Sequence, residues 1–435
     1  MHLPIPRGRR AWLTAVAAAL LAAVVVSAII PGTALGRWLR GNGGGTVLAQ
    51  VPSQPVLAGQ TPGAVDGTTG QAAGPGAGSS QGGSTPSATD PAGQQPLGAQ
   101  PAGAQPPAEQ PAAASPTPPS RPAAKHQFIV MGYYDQNGSY DNDAWSSLSA
   151  HADKIDLVSP FWFSVNANGT VSTRGSNWSR VIKTSHSHGA KVLGLFNNAG
   201  GNNAVLTNEA ARRKAAESIA KAVADNGLDG AVLDFESLAP STRSAMTALA
   251  KDLAQRLHAA GRLLAVAVGP KWSSDESLND GAIAYDYRAL GAVADYIQIM
   301  SYDQHTVSSA AGPIASLSWV RSVAKYAVTQ IAPSKILLGV AGYGYEWPAR
   351  DSWGVVYARD AASLAAGGGT RVLWDDGSQS PHFSYTGQDG VTRTVWFENS
   401  HSIEQKLGVV RQYGLAGIAL WRLGQEEDRL WSVLP

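Results

Sequence analysis

The chain has 435 residues, with 33 Lys and Arg against 32 Asp and Glu, so its formal net charge is +1. So small a charge argues against a polyanionic partner, and nucleic-acid binding is not expected. The sequence contains no cysteine, which excludes disulfides and thiolate metal sites. His186 and His188 stand two residues apart, a spacing that does not pair on one helix face, so we predict no metal and no cofactor.

The N-terminal segment is apolar and is preceded by three arginines. Residues 11–30 carry no charge, and a helix over these 20 residues would rise about 30 Å, the thickness of the hydrocarbon core of a bilayer. That length suits a membrane anchor better than a cleaved signal peptide, whose apolar region is usually about 7–15 residues. The small residues Ala34 and Gly36 keep cleavage open as the alternative. We therefore predict that residues 1–36 are a signal-anchor or a signal peptide, and both place the rest of the chain outside the cytoplasm.

Residues 37–125 form the next compositional unit. From residue 41 to residue 125 there is no aromatic residue, and only five residues are charged. Such a segment cannot bury enough apolar surface to offset the entropy that ordering would cost. We predict a disordered linker over residues 37–125, followed by one folded domain over residues 126–435 that is expected to be a monomer.

Beyond Lys125, apolar runs alternate with helical stretches, which is the pattern of a parallel sheet built from βα units. The predicted strands occupy residues 127–134, 155–161, 191–196, 229–236, 263–269, 294–302, 335–342 and 415–422. The predicted helices occupy residues 143–151, 178–188, 207–225, 241–259, 282–292, 315–331 and 402–412. Eight strands with crossover helices indicate an α/β fold, the (β/α)8 TIM barrel. Between the last two strands, residues 346–398 are predicted to form a small α+β insertion that makes one wall of a groove.

The fourth predicted strand, DGAVLDFE, ends in two carboxylates. Side chains two apart in a strand point to the same face, so Val232, Asp234 and Glu236 are expected to form one row. Like charges that close cannot both ionise freely, so one pKa should be raised, as a general acid working near neutral pH requires. The alternative is an acidic strand end that caps the following helix. The C-terminal ends of barrel strands carry the active site, and Glu236 lies at such an end, which favours the catalytic interpretation.

This strand resembles the D-G-x-D-x-D-x-E signature of glycoside hydrolase family 18, the chitinases and related N-acetylglucosaminidases. Residues 298–303, QIMSYD, resemble the Q-x-M-x-Y-D strand of the family, and residues 417–421, GIALW, resemble its last strand. Four further segments resemble the bacterial branch of cell-wall and spore-cortex glucosaminidases: VSPFWFSVNANG (158–169), YDYRALGAVADYIQIMSYDQH (285–305), LLGVAGYGYEW (337–347) and WFENSHSI (396–403). One position departs from the signature, because Val232 stands where chitinases have an Asp that contacts the next Asp along the strand.

The resemblance implies substrate-assisted hydrolysis, in which the 2-acetamido group of the substrate attacks the anomeric carbon. Glu236 would protonate the glycosidic oxygen and then act as a base on water. Asp234 would accept the acetamido N–H and stabilise the positive charge on the oxazolinium ring. Tyr302 would donate its hydroxyl to the acetamido oxygen, and Trp421 would stack on the sugar. The other substrate-binding candidates are Asp303, Gln298, Met300, Tyr343 and Tyr345, with Glu346 and Trp347 as further groove residues.

Three function classes remain open after these assignments. The first is a hydrolase that cuts β-1,4 bonds after N-acetylglucosamine, in peptidoglycan or, as the runner-up, in chitin. The second is a carbohydrate-binding protein on the same barrel, and the third is a structural envelope protein. Loss of the catalytic Glu is the usual mark of chitinase-like lectins, and this chain retains it as Glu236. The resemblance therefore favours the hydrolase. Four other residues are interpreted with less weight on function: Trp162, Asn197 and Trp272 at strand ends, and Asp229 as a fold residue.

The anchor and the linker together make a testable prediction. The arginines before residues 11–30 keep the N-terminus cytoplasmic by the positive-inside tendency. The 85 residues from 41 to 125 would span about 50 Å as a flexible coil, enough to reach the inner layers of a cell wall. We expect the protein to stay with host membranes through high-salt washing and to be released by detergent. A mature protein that is free in the medium and starts near Arg37 would contradict the anchor.

Overall fold

The structure, a computed structural model, describes residues 128–136, 140–276, 280–351 and 353–434. The predicted membrane segment over residues 11–30 and the predicted linker over residues 37–125 lie outside the described residues, and both stay predictions. Within the described ranges, no helix is both long and apolar enough to cross a bilayer.

The described residues form strands and helices that alternate along the chain. The strands are β1 Ile129–Tyr134, β2 Leu157–Pro160, β3 Phe163–Val165, β4 Val171–Thr173, β5 Lys191–Asn197, β6 Gly230–Asp234, β7 Leu263–Val268, β8 Tyr296–Ile299, β9 Ile336–Ala341, β10 Tyr343–Trp347, β11 Val355–Tyr357, β12 Leu373–Asp375, β13 Ser380–Thr386, β14 Thr392–Phe397 and β15 Gly417–Trp421. The α-helices are α1 Tyr140–His151, α2 Trp178–Ser187, α3 Ala204–Thr207, α4 Glu209–Asp225, α5 Arg243–Ala259, α6 Tyr287–Val293, α7 Leu317–Ala327, α8 Ala358–Gly367, α9 Ser400–Tyr413 and α10 Leu430–Val433.

Eight parallel strands close into a barrel. They pair in the order β1, β2, β5, β6, β7, β8, β9 and β15, and β15 pairs back with β1. Each connection between successive barrel strands carries at least one α-helix. The predicted (β/α)8 barrel is therefore confirmed. Strands β3 and β4 add a short antiparallel hairpin after β2 that the sequence analysis did not predict.

The barrel strands are buried on both faces, which explains why they read as continuous apolar runs in the sequence. Val232 of β6 belongs to the apolar cluster inside the barrel, together with Leu195 of β5 and Ala265 of β7. The neighbouring Leu233 belongs instead to the cluster between the barrel and its helices. Gly227 and Gly261 follow α4 and α5 with positive φ angles of 63° and 67°, the left-handed conformation in which many helices end.

The insertion between β9 and β15 is an antiparallel sheet with the strand order β11-β10-β14-β13-β12, together with α8. One face of this sheet packs on α8 through Val356, Phe383 and Val395. The predicted α+β insertion is present, but the sheet begins at Tyr343, three residues before the predicted bound, because β9 turns through Gly342 directly into β10. Alternation along β10 then directs Tyr343 and its second neighbours to one face and the residues between them to the other.

Candidate active site

The carboxyl ends of the barrel strands gather the predicted site residues at one mouth. Asp234 is the last residue of β6, and Trp421 is the last residue of β15. Tyr302 and Asp303 follow β8, which ends at Ile299. Parallel strands of a closed barrel all end on the same side, so side chains that are far apart in sequence meet there.

Strand β6 ends two residues earlier than the sequence predicted. The ladder between β5 and β6 runs as far as the pair Asn197 and Asp234. Beyond that pair, the side chain of Asn198 bonds to the peptide N–H and C=O of Glu236, so a side chain replaces the backbone partner. The expected strand row therefore holds for Val232 and Asp234, whereas Glu236 stands in the loop beyond the strand.

The two carboxyl groups of the signature differ in their surroundings. Asp234 is only 6% exposed, and burial raises its pKa well above the usual value, with the charge of Glu236 as the second cause. Solvent reaches Glu236 through the mouth, yet the surrounding protein displaces much of its hydration and raises its pKa, and Asp303 raises it further. The spacing of the two carboxyls predicts one raised pKa, and both pKa values are raised. A raised pKa favours the protonated form of a carboxyl, which is the form that general acid catalysis requires.

Asp303 is held by two tyrosines from the insertion. Its Oδ1 accepts hydrogen bonds from the hydroxyl of Tyr343 at 2.6 Å and from the hydroxyl of Tyr345 at 3.1 Å. Desolvation by the surrounding protein raises the pKa of Asp303, and the two tyrosine hydroxyls oppose this effect. The residue has a φ of 59°, in the left-handed region that Asp tolerates better than most side chains. The structure therefore brings Asp303, Tyr343 and Tyr345 together beside Glu236.

Aromatic side chains line the same mouth. Tyr302 is 9% exposed, and its ring meets that of Tyr343 edge to face at 6.4 Å. Burial raises the pKa of Tyr302 well above its usual value, so its hydroxyl keeps the proton that a hydrogen-bond donor needs. The half-buried Trp421 packs against Tyr133 at 5.2 Å and Phe161 at 6.3 Å, both edge to face. Tyr302 and Trp421 thus lie where the sequence placed them.

Gln298 lies deeper, within β8. It is 1% exposed, and its Oε1 accepts a hydrogen bond from the hydroxyl of Tyr133 at 3.1 Å. Its Nε2 has no partner among the described residues. Gly339 leaves room for this amide, because a Cβ there would stand 2.8 Å from Nε2. Met300 packs half-buried against the aromatic cluster that includes Tyr302.

Tyr133 is the site residue that the sequence analysis missed. Tyr133 is the next-to-last residue of β1, and the charges of Asp234 and Glu236 both act on its hydroxyl. Its burial ranks first among the causes that raise its pKa. Its place near the end of the first predicted strand was the available signal.

Several other candidates have structural contacts. Trp162 is fully buried and stacks on Trp178 at 4.6 Å, and Trp272 pairs with Trp319 at 6.0 Å. The Asp229 carboxylate accepts the N–H of Val192 at 2.8 Å, which agrees with a fold role.

The interpretation of Glu346 as a groove residue is wrong. Its Oε2 accepts the hydroxyl of Tyr385 at 2.7 Å, and its Oε1 pairs with Arg350. Alternation along β10 puts Glu346 on the opposite face from Tyr345, which bonds to Asp303. Trp347 is on the face of Tyr345 and donates its Nε1–H to the carbonyl of Thr306 at 2.9 Å.

The arrangement offers acid–base chemistry at a barrel mouth. Glu236 is open to a ligand, Asp234 is a buried carboxyl beside it, and tyrosine hydroxyls and an indole surround both. In the described part of the chain, no group of three His, Asp or Glu side chains could hold a metal ion. Fold and site thus define a TIM barrel with a paired-carboxyl centre. Residues 129–426 match the glycosyl hydrolases family 18, more than half of the chain, so the chain belongs to this family and is a glycosidase.

Curated proteins and solved structures that are similar to this chain are consistent with its family. The "Putative sporulation-specific glycosylase YdhD" of Bacillus subtilis is 31% identical over 302 residues, which cover 67% of this chain and 70% of that protein. The cortical fragment-lytic enzyme of Bacillus anthracis is 30% identical over 235 residues, 53% of this chain and 54% of that protein. Among solved structures, the chitinase from Chromobacterium violaceum matches with a TM-score of 0.65 at 31% identity, over 71% of this chain and 98% of its own. The Bacillus cereus spore cortex-lytic enzyme SleL matches with a TM-score of 0.65 at 25% identity, over 72% and 74%.

The effect of the Asp303 charge on Glu236 leads to a prediction about the pH dependence of activity. Because this charge raises the pKa of Glu236, Asp303→Asn should lower that pKa. Less Glu236 then carries a proton at neutral pH, so the basic limb of the kcat/KM profile should move to lower pH. Asn keeps an acceptor oxygen for Tyr343, and Asp225→Asn on the exposed end of α4 is the matched control. A basic limb that stays in place or moves to higher pH would contradict this electrostatic link.

Proposed function

We propose that this chain hydrolyses β-1,4 bonds in polysaccharides that contain N-acetylglucosamine, with peptidoglycan as its substrate. One observation carries the proposal: Glu236 is a carboxyl with a raised pKa that is open to the mouth and adjoins the buried Asp234. A carboxyl whose raised pKa favours its protonated form and that a substrate can reach is suited to protonate a leaving oxygen.

The positions of the carboxyls favour substrate-assisted catalysis. Ordinary glycosidases place two carboxylates on opposite sides of the scissile bond. Here Asp234 and Glu236 come from one strand end, and the Asp303 carboxylate is occupied by two tyrosine hydroxyls. Such a set leaves the role of nucleophile to the 2-acetamido group of the substrate, as the family resemblance implies.

The roles of the residues follow from this scheme. The acetamido oxygen attacks the anomeric carbon while Glu236 gives its proton to the departing glycosidic oxygen, and Asp234 accepts the acetamido N–H. The resulting oxazolinium ion is positively charged, and the Asp234 carboxylate stabilises it more than the neutral substrate. Glu236, now ionised, takes a proton from the water that opens the ring. Tyr302 donates its hydroxyl to the acetamido oxygen, and Trp421 supplies an apolar floor for the sugar.

Peptidoglycan is preferred over chitin for two reasons. Among the relatives, one is named for sporulation and another is named a cortical fragment-lytic enzyme, and SleL is named a spore cortex-lytic enzyme. The proposed anchor over residues 11–30 would also hold the barrel near a cell wall. Chitin remains the second candidate because a chitinase is among the solved structures that match this chain.

The first test concerns the acid. Glu236→Gln should lower kcat on purified peptidoglycan by roughly 10²–10⁴-fold, because the amide has no proton to give. Its melting temperature should be unchanged or slightly higher, since Gln avoids the cost of a desolvated charge. Glu217→Gln on the exposed face of α4 serves as the matched control and should leave both values unchanged. Near wild-type turnover in Glu236→Gln would show that Glu236 is not the general acid.

The second test concerns the nucleophile. Deacetylated substrates, which carry glucosamine in place of N-acetylglucosamine, should not be cut, and a thiazoline mimic of the oxazolinium ion should inhibit strongly because it resembles the charged intermediate. Asp234→Asn should lower kcat more than Tyr302→Phe does, since the former removes a full charge and the latter one neutral hydrogen bond. Products from peptidoglycan and from chitin oligomers are identified by mass. A trapped covalent sugar–protein adduct would overturn the scheme.

A further inference from the structure

The loop after β5 contacts the backbone of Glu236, which stands two residues after Asp234. Asn198 is 1% exposed and makes two hydrogen bonds to Glu236. Its Oδ1 accepts the peptide N–H of Glu236 at 3.0 Å, and its Nδ2 donates to the C=O of Glu236 at 2.8 Å. One side chain thus satisfies both backbone groups of a single residue, as a neighbouring strand would.

The backbone before and after Glu236 is held as well. The hydroxyl of the buried Tyr285 donates to the C=O of Phe235 at 2.7 Å. On the other side, Gly201 has a φ of 85°, and a Cβ there would stand 3.0 Å from the Cβ of Ser237. The loop after β5 therefore lies in close contact with the loop after β6, and Asn198 is the member of this contact that bonds to Glu236 itself.

Asn203 makes the same type of contact slightly farther along the chain. Its Nδ2 donates to the C=O of Ser237 at 3.0 Å, and its Oδ1 accepts the N–H of Ala239 at 3.0 Å. Ser237 has a φ of 52°, in the left-handed region, so these bonds help to hold a strained backbone. Asn198 and Asn203 are thus the same residue type in the same loop, each with one bond to a C=O and one to an N–H of the loop after β6, but only Asn198 binds the peptide of Glu236.

We propose that Asn198 is a positioning residue for the reaction, which fixes the Glu236 carboxyl over the mouth by holding both backbone groups of Glu236. The proposal rests on the proposed function, in which Glu236 is the acid. The direction of a side chain starts from its Cα, and the peptide groups on the two sides of that Cα set its place. Because a shift of about 1 Å at a reacting group can cost about 10²-fold in rate, this contact bears on turnover more than on substrate binding.

The test compares three variants of the full chain, each assayed on purified peptidoglycan and on a soluble β-1,4 tetramer of N-acetylglucosamine. Asn198→Ala should lower kcat by about 10–100-fold and leave KM within about threefold of wild type. Asn203→Ala should lower the melting temperature but keep kcat within about threefold. A loss of kcat in Asn198→Ala that Asn203→Ala does not share distinguishes positioning of the acid from general support of the loop.

A second readout is the pH profile. Once released by Asn198→Ala, Glu236 gains hydration, so its pKa should fall and the basic limb should move to lower pH, whereas Asn203→Ala should leave the limb in place. The groups that face Glu236 and remain unchanged in both variants are Asp234, Asp303 and the hydroxyls of Tyr133, Tyr285 and Tyr302.

Asn198→Asp covers the case in which the alanine variant fails to fold. A carboxyl of the same shape reproduces both bonds only while it is protonated, because an ionised carboxylate cannot donate to the C=O of Glu236. Its kcat relative to wild type should therefore be highest at acidic pH and should fall as the pH rises, at temperatures where the variant stays folded.

The outcomes separate the two proposals. Equal losses of kcat in Asn198→Ala and Asn203→Ala, or an Asn198→Asp variant that matches wild type at every pH, would overturn the positioning role while the proposed function stands. A wild-type chain that cuts neither probe, or a Glu236→Gln variant with full activity, would overturn the proposed function and the positioning role with it.

Discussion

Three carboxyl groups crowd one end of this barrel, and their desolvation is the constraint on which the site depends. Asp234 is buried, and protein crowds Glu236 and Asp303 at the mouth, so the pKa of each is raised. An acid with a higher pKa in the folded chain than in the unfolded chain binds its proton more tightly when folded. Its contribution to stability is then lost as the pH rises above the unfolded value of about 4. At neutral pH these groups oppose folding, and other parts of the fold must compensate.

The compensation comes from the barrel and from polar contacts around the site. The interior layer beneath Asp234 is apolar, with Val232, Leu195 and Ala265 in one cluster, and its burial favours the folded chain. The tyrosine hydroxyls on Asp303 and the Asn198 amide on Glu236 satisfy polar groups that would otherwise lose hydration without replacement. The site therefore depends on the insertion, because the insertion supplies both tyrosines that bond to Asp303.

Most of the barrel could be predicted because its signals are local. Runs such as Leu263–Val268 are apolar at every position, as strands buried on both faces must be, and Gly227 and Gly261 mark helix ends through their backbone freedom. Asp234 and Glu236 were found because they stand at the end of such a run. Trp421, at the end of the last strand, was found from the resemblance of residues 417–421.

The parts that could not be predicted depend on contacts between distant segments. Asn198 and Glu236 are 38 residues apart, and Tyr285 and Phe235 are 50 apart, and each pair joins a side chain to a backbone group that no periodicity reveals. Glu346 is a different case. Because the segment after the seventh barrel strand was not recognised as a strand, its alternation was not applied, and the carboxyl was assigned to the wrong face of β10.

The valine at position 232 limits how the proton can move in this enzyme. Val232 places an apolar side chain two residues before Asp234 inside the barrel, so this position has no carboxyl that could share a proton with Asp234. The causes that raise the Asp234 pKa are burial and then Glu236, and Tyr133 gives its hydroxyl hydrogen to Gln298. The exchange that remains is between Asp234 and Glu236 themselves. Of these two, only Glu236 is open to the mouth. In the proposed mechanism, a proton at the pair is therefore delivered to substrate through Glu236, while an ionised Asp234 meets the positive charge that develops on the sugar.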